Sequence, residues 1–154
     1  AYAKSIGNHG FIAVQPFWGL AIPNKQNAEA QGYQLHYEGS YEELHADGLP
    51  MIPYAGQSGG YFTKLAQGGE AALSDMLKSR YDNPLNARRL EAVRMLAQTR
   101  DASVNEIALA YLLSQPHQTI PIIGASRPEQ LKASVKATNV TLSEGELALL
   151  RAER

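Results

Sequence analysis

The chain has 154 residues, with 14 Lys and Arg against 15 Asp and Glu, a formal net charge of −1 and 44% hydrophobic residues. That balance fits a single globular domain over residues 1–154, without the basic stripe of a nucleic-acid binder or the ~18-residue apolar run of a membrane span. The chain has no cysteine, which excludes disulfides, thiol catalysis and Cys-type zinc sites and is compatible with a cytoplasmic location.

Residues 1–8 read as the end of a helix, with Gly10 as its stop. No signal-peptide pattern is seen there, and the initial Ala1 is compatible with a fragment, a processed product or a trimmed chain. Phe11-Ile12-Ala13-Val14-Gln15 is a short apolar run with β-branched members, read as a buried strand that Pro16 ends. Residues 18–39, punctuated by Gly19, Pro23, Gly32 and Gly39, read as a long surface excursion. Ser40-Tyr41-Glu42-Glu43 fits a capping box and predicts a short helix to about Ala46, ended by Gly48. Leu49-Pro50-Met51-Ile52-Pro53-Tyr54 is a second candidate strand, although its prolines disfavour a sheet centre. Gly56-Gln57-Ser58-Gly59-Gly60 follows as a Gly-rich loop. Residues 65–85 read as a loop with a helical turn or two around residues 70–78.

The remainder is more regular. Leu90, Val93, Leu96 and Ala97 recur at helical spacing within residues 87–99. Ser103-Val104-Asn105-Glu106 is a capping box opening a helix with Ile107, Ala110, Tyr111 and Leu113, and Pro116 follows its end. Thr119-Ile120-Pro121-Ile122-Ile123 is the third candidate strand. Ser126-Arg127-Pro128-Glu129 and Ser143-Glu144-Gly145-Glu146 are two more capping boxes, the second opening a helix with Leu147, Leu149 and Leu150. Strands separated by helices imply parallel pairing and right-handed crossovers, hence an α/β fold, either an open sheet or part of a barrel.

The best local candidate for chemistry is residues 121–130. A strand ends at Gly124 and turns directly into a helix expected to be capped by Ser126, whose free N–H groups and positive dipole end favour an anion. Gly124 lets an anion approach the backbone, and Arg127 offers a planar fork suited to phosphate. A plain capped helix with a surface arginine explains the same pattern equally well. The loop 54–64, with its glycines and Lys64, is a second candidate at a strand end, against a simple mobile turn. Gln15 and Tyr54 end candidate strands, where an amide or a ring meets a ligand or merely packs. His9, His36, His45 and His117 show no metal-ligand spacing, and no metal site is expected. Glu42-Glu43 reads as a helix first turn, and Tyr33, Tyr37 and Tyr41 as loop packing on an exposed segment.

These segments together resemble the aldo-keto reductase family. Phe11-Ile12-Ala13-Val14-Gln15-Pro16-Phe17-Trp18 resembles its sixth barrel strand. Residues 51–64, MIPYAGQSGGYFTK, resemble the seventh strand and its loop, YSPLGxGxLTGK. Residues 103–113 resemble the helix before the last strand, and residues 120–131, IPIIGASRPEQL, are similar to IPGASxPEQL. The resemblance implies a partial (β/α)8 TIM barrel, the C-terminal half with strands six to eight, and NADP as cofactor for reversible carbonyl reduction. By it, Gln15 holds the nicotinamide carboxamide and Tyr54 stacks on the ring. Gln57, Ser58 and Lys64 face the pyrophosphate. Ser126 and Arg127, at the Gly124 turn, hold the 2′-phosphate, with Gln130 beside the adenosine. Ala55-Gly56 replaces the usual Ser-Pro, one glycine is missing before Lys64, and Ser134 stands where many members have Asn. The family's catalytic Asp, Tyr, Lys and His lie on the first four strands, to which nothing here corresponds. No catalytic residue is assigned, and the chain alone is expected to be inactive; the alternatives are a half-barrel that binds a nucleotide or another phosphate without catalysis, and a structural or interaction module. Three strands cannot close a barrel, so self-association or pairing with a complementary N-terminal half is expected, with a small carbonyl substrate only once completed.

Overall fold

The computed structural model describes residues 2–25, 37–38 and 48–152. The expected Ser40 helix, with Glu42 and Glu43, lies outside the described residues, as do Tyr33, Tyr41, His36 and His45.

Three extended segments, residues 13–18, 50–54 and 118–122, lie side by side. They are joined by the parallel bridges Val14–Met51, Phe17–Tyr54 and Met51–Thr119. Towards the first segment, Val14 N donates to the Pro50 carbonyl (2.9 Å), Ile52 N to Val14 (2.8 Å), Tyr54 N to Pro16 (3.1 Å), and Trp18 N to Tyr54 (3.2 Å). Towards the third, Met51 N donates to Gln118 (2.9 Å), Ile120 N to Met51 (2.8 Å) and Ile122 N to Pro53 (2.8 Å). The proline-bearing segment is therefore central among the three, the place its composition disfavours. The ladder survives because each proline costs one donor only. Pro16 removes the rung to the Ile52 carbonyl and Pro53 the rung to Ile120, while both proline carbonyls still accept. The result is separate bridges rather than long strands.

Alternation places Val14, Pro16, Met51 and Pro53 on one sheet face and Gln15, Ile52, Tyr54, Ile120 and Ile122 on the other. Met51, Pro16 and Pro53 are buried, whereas Ile120 is 51% and Ile122 44% exposed. The expectation of a buried first strand is corrected here. Phe11 and Ile12 are almost fully exposed and Gln15 is exposed. An apolar run marks surface to be covered, and this segment is the outermost of the three among the described residues.

Helices pack beside these segments: α1 (Tyr2–Ser5), α2 (Tyr61–Gly68), α3 (Asp75–Tyr81), α4 (Pro84–Thr99), α5 (Val104–Leu113), α6 (Pro128–Val135) and α7 (Glu144–Arg151). Gly7, at φ +70°, sits at the end of α1, three residues before the expected stop. The stretch expected as a loop over residues 65–85 is mostly helical. It holds the end of α2, a 3-10 turn at Gly69–Ala72, and α3. Its caps carry the explanation: Ser74 accepts from Leu77 N, and Asn83 accepts from Asn86 N at the start of α4, with Pro84 in the first turn. The capping boxes at Ser103–Glu106 and Ser143–Glu146 close in both directions. Glu146 also takes both ends of the Arg100 guanidinium, at 2.8 and 2.6 Å, and this bond holds its carboxyl down at about 2.

The expected surface excursion starts inside the core. Trp18, Leu20 and Ala21 are each 1% exposed, and Tyr37, expected on an exposed segment, is buried with its ring 4.5 Å from Trp18. A polar cluster explains the burial. The Glu38 carboxylate accepts from Trp18 Nε1 (3.1 Å), from the Tyr111 hydroxyl and from Arg89 (2.8 Å), and Arg89 also donates to the Leu20 carbonyl. His117 stacks on Trp18, with centroids 5.6 Å apart. One apolar cluster runs from Phe17 through α2 to α5 and on to Leu150 in α7.

Candidate functional site

The carboxyl ends of segments two and three open into a cleft of about 820 Å³, walled by α2, α5 and α6. This is the end at which parallel α/β folds place ligands. Seven of the nine residues expected at a cofactor line it: Gln57, Ser58, Lys64, Gly124, Ser126, Arg127 and Gln130. Gln15 and Tyr54 are not among the lining residues. Both belong to the sheet face carrying Ile120 and Ile122, and Tyr54 packs 5.3 Å from the Phe17 ring.

One wall is the turn after segment two. Ala55 (φ 61°) and Ser58 (φ 50°) are left-handed without being glycine, a strained arrangement of the kind found at ligand clamps. The turn is closed by Ser58 N donating to Ala55 (2.7 Å) and Gly60 N to Gln57 (2.8 Å). It rests on Gly19, where a Cβ would stand 2.8 Å from the Ala55 carbonyl oxygen. Ser58 borders the cleft yet is only 3% exposed, which limits its reach towards a phosphate. The expected loop becomes α2 from Tyr61. Lys64, in that helix, folds its ammonium back onto the Gly59 carbonyl at 3.0 Å.

The opposite wall is the turn into α6. The N-cap is Arg127, not Ser126 as the sequence suggests, and it makes no side-chain capping bond. Ser126 lies one residue too early. Its N–H and its hydroxyl both donate to Gln130 Oε1 at 2.9 Å, so Gln130 reaches back in place of Glu129. Pro128 has no N–H to offer. The backbone N–H groups of Ala125, Arg127 and Glu129 have no acceptor among the described residues, and the turn is exposed. Those donors, the helix end and the Arg127 guanidinium together favour an anion.

Between the walls lies a polar knot that the sequence reading did not find. Gln57 Nε2 donates to Asn105 Oδ1 (3.0 Å) and to Ser134 Oγ (3.1 Å), and Gln57 Oε1 accepts from Gly124 N (3.0 Å). Asn105 Nδ2 also donates to Ser134 Oγ at 3.1 Å. Ser134 is 4% exposed, so its hydroxyl serves this knot before any ligand. The available signal was Asn105, an uncharged polar residue in the first turn of a helix that is apolar from Ile107 to Leu113 apart from the Tyr111 hydroxyl. Gly124 is informative in another way. A Cβ there would meet no atom within 4 Å, and its φ is not left-handed. Neither packing nor backbone conformation requires glycine at this position, which borders the open cleft.

A cleft between two backbone turns at the carboxyl ends of parallel segments, with Lys64 on one wall and Arg127 on the other, is the layout of an α/β fold with a ligand-sized cleft. The Aldo/keto reductase family model matches residues 25–153, and the chain belongs to that family. It is 29% identical over 146 residues to the norsolorinic acid reductase of Aspergillus flavus, covering 88% of this chain and 37% of that protein. It is 42% identical over 64 residues to the L-glyceraldehyde 3-phosphate reductase of Escherichia coli, covering 41% of this chain and 18% of that protein. A thermostable aldo-keto reductase crystallised with the inhibitor epalrestat shares the fold, with a TM-score of 0.55 and 21% identity, over 97% of this chain and 43% of that one. The chain thus spans less than half the length of each of these relatives. No helix among the described residues is long and apolar enough to cross a membrane.

Proposed function

We propose that this chain is the C-terminal, NADP-binding part of an aldo-keto reductase barrel, carrying strands six to eight, a cytoplasmic protein working in reversible carbonyl reduction. The observation that carries the proposal is the pairing, across one cleft, of the Ala55–Gly60 turn beside Lys64 with the unbonded N–H groups of the Arg127 turn. The two turns suit the pyrophosphate and the 2′-phosphate of NADP, and the open space at Gly124 suits close approach of an anion. Ser126, Arg127 and Gln130 would hold the 2′-phosphate and adenosine, and the turn at Gln57 and Ser58, with Lys64, would border the pyrophosphate. Gln15 and Tyr54, on the face that lines the interior of such a barrel, would meet the nicotinamide. When bound, NADPH supplies the hydride.

Titrating the chain with NADPH and following nicotinamide fluorescence tests this reading. Saturable quenching is expected, and none at several hundred micromolar overturns it.

A second reading, nucleotide binding without catalysis by this chain, rests on Tyr61 and Tyr111 among the described residues. Burial, with Asp82 and Glu70 nearby, pushes the Tyr61 phenol up to about 12, and Tyr61 does not line the cleft. Burial and the Glu38 charge raise Tyr111 as well. Neither is placed to give a proton to a carbonyl at the cleft. NADPH oxidation with a generic aldehyde should therefore be nil for the chain alone, and turnover would show a proton donor overlooked.

The reading also needs the sheet edges covered. Phe11, Ile12, Ile120 and Ile122 are exposed, and the N–H groups of Ala13 and Gln15 have no acceptor among the described residues. We propose that the chain in isolation self-associates as a dimer, a cover that a complementary N-terminal half would replace. Light scattering should return twice the chain mass, and a monodisperse monomer would contradict it.

A further inference from the structure

The Gln57 carboxamide is fully engaged inside the protein. It ties together the turn after segment two, Asn105 on α5, Ser134 on α6 and the backbone of Gly124 after segment three. Its partners are held in turn, since Asn105 also bonds Ser134 and Ser134 is buried. This one side chain therefore connects both walls of the cleft to its floor. Breaking the knot would leave Ser134 Oγ and Asn105 without their shared partner and Gly124 N–H without its acceptor. The two anion-binding turns would then be free to change their separation.

From this geometry we infer that Gln57 is a positioning residue, a strut that fixes the spacing between the turn beside Lys64 and the turn at Arg127, and does not itself bind phosphate. The inference rests on the NADP reading and refines it, because the resemblance alone puts Gln57 at the pyrophosphate. A ligand that touches both turns gains from their fixed spacing, as a bivalent ligand gains from a stiff linker. A ligand that touches one turn gains nothing from it. NADPH is of the first kind, and adenosine 2′-monophosphate, which reaches only the Ser126–Arg127 turn, is of the second.

The test measures both affinities by calorimetry on the full chain, for the wild type, Gln57→Leu, the pair Asn105→Leu with Ser134→Ala, and the triple variant. Thermal melts should show that each variant is folded at the titration temperature. Gln57→Leu should weaken NADPH by about tenfold and adenosine 2′-monophosphate by less than about twofold. In the background lacking Asn105 and Ser134, the added Gln57→Leu change should have a clearly smaller effect, because only the bond from Gly124 N then remains to be lost. Equal weakening of both ligands would mean a collapsed cleft and overturn the inference. A Gln57 effect that persists undiminished in that background would mean direct contact with the ligand and overturn it too, as would an unchanged NADPH affinity. If the wild type binds neither ligand, the NADP reading itself fails.

Discussion

Replacing Arg89 with methionine should destabilise the protein by about 3–5 kcal/mol, the usual consequence of removing one partner from a buried ion pair. Arg89 is 3% exposed and donates to the Leu20 carbonyl at 2.7 Å, to Glu38 at 2.8 Å and to the Arg151 carbonyl at 3.3 Å. The same Glu38 carboxylate accepts from Trp18 Nε1 and from the Tyr111 hydroxyl. Taking away Arg89 removes its 2.8 Å ion pair from a carboxylate packed among aromatic rings. Arg151, whose Nε lies 3.4 Å from the Tyr111 hydroxyl, can offset part of the loss. The double variant Arg89→Met with Glu38→Gln should regain more than half of it, since a neutral carboxamide loses less than a carboxylate when the guanidinium is gone. Urea denaturation measures both. A loss below about 1 kcal/mol for the single variant would show that the pair is not buried as described.

Arg127→Ala should weaken NADPH by roughly 10- to 100-fold, the equivalent of one charge-assisted contact of about 1.5–3 kcal/mol, and leave NADH unchanged. The side chain is exposed and has no hydrogen-bond partner among the described residues, so the substitution should not alter stability. This separates binding from folding. Calorimetric titration of the variant with both dinucleotides is the check, and a parallel loss for NADH would mean that Arg127 does not read the 2′-phosphate.

The sequence was most legible where a single residue settles a local contest. The capping boxes at Ser103 and Ser143 form as their spacing predicts, because hydroxyl and carboxylate satisfy each other's neighbouring N–H groups. The Ser126 box fails by one residue: the N-cap is Arg127, and Gln130 rather than Glu129 reaches back to Ser126. Local pattern cannot choose between two such acceptors. Residues 65–85 were misread because glycines and polar side chains masked the caps at Ser74 and Asn83. Burial was the least legible property. Trp18 and Tyr37 are drawn into the core by a carboxylate that serves Arg89 on α4 and Tyr111 on α5, a long-range arrangement without a local signature. Phe11 and Ile12 look like core and stand exposed. For the cleft, motif spacing pointed to residues on both walls, whereas the Gln57, Asn105 and Ser134 knot joins positions 29 to 77 residues apart.

The most direct measurement of the central claim is the ratio of NADH to NADPH dissociation constants for the unmodified chain. One saturable site should prefer NADPH by at least about tenfold, through the 2′-phosphate at the Arg127 turn. Equal affinities, or no saturable binding of either dinucleotide, would contradict it.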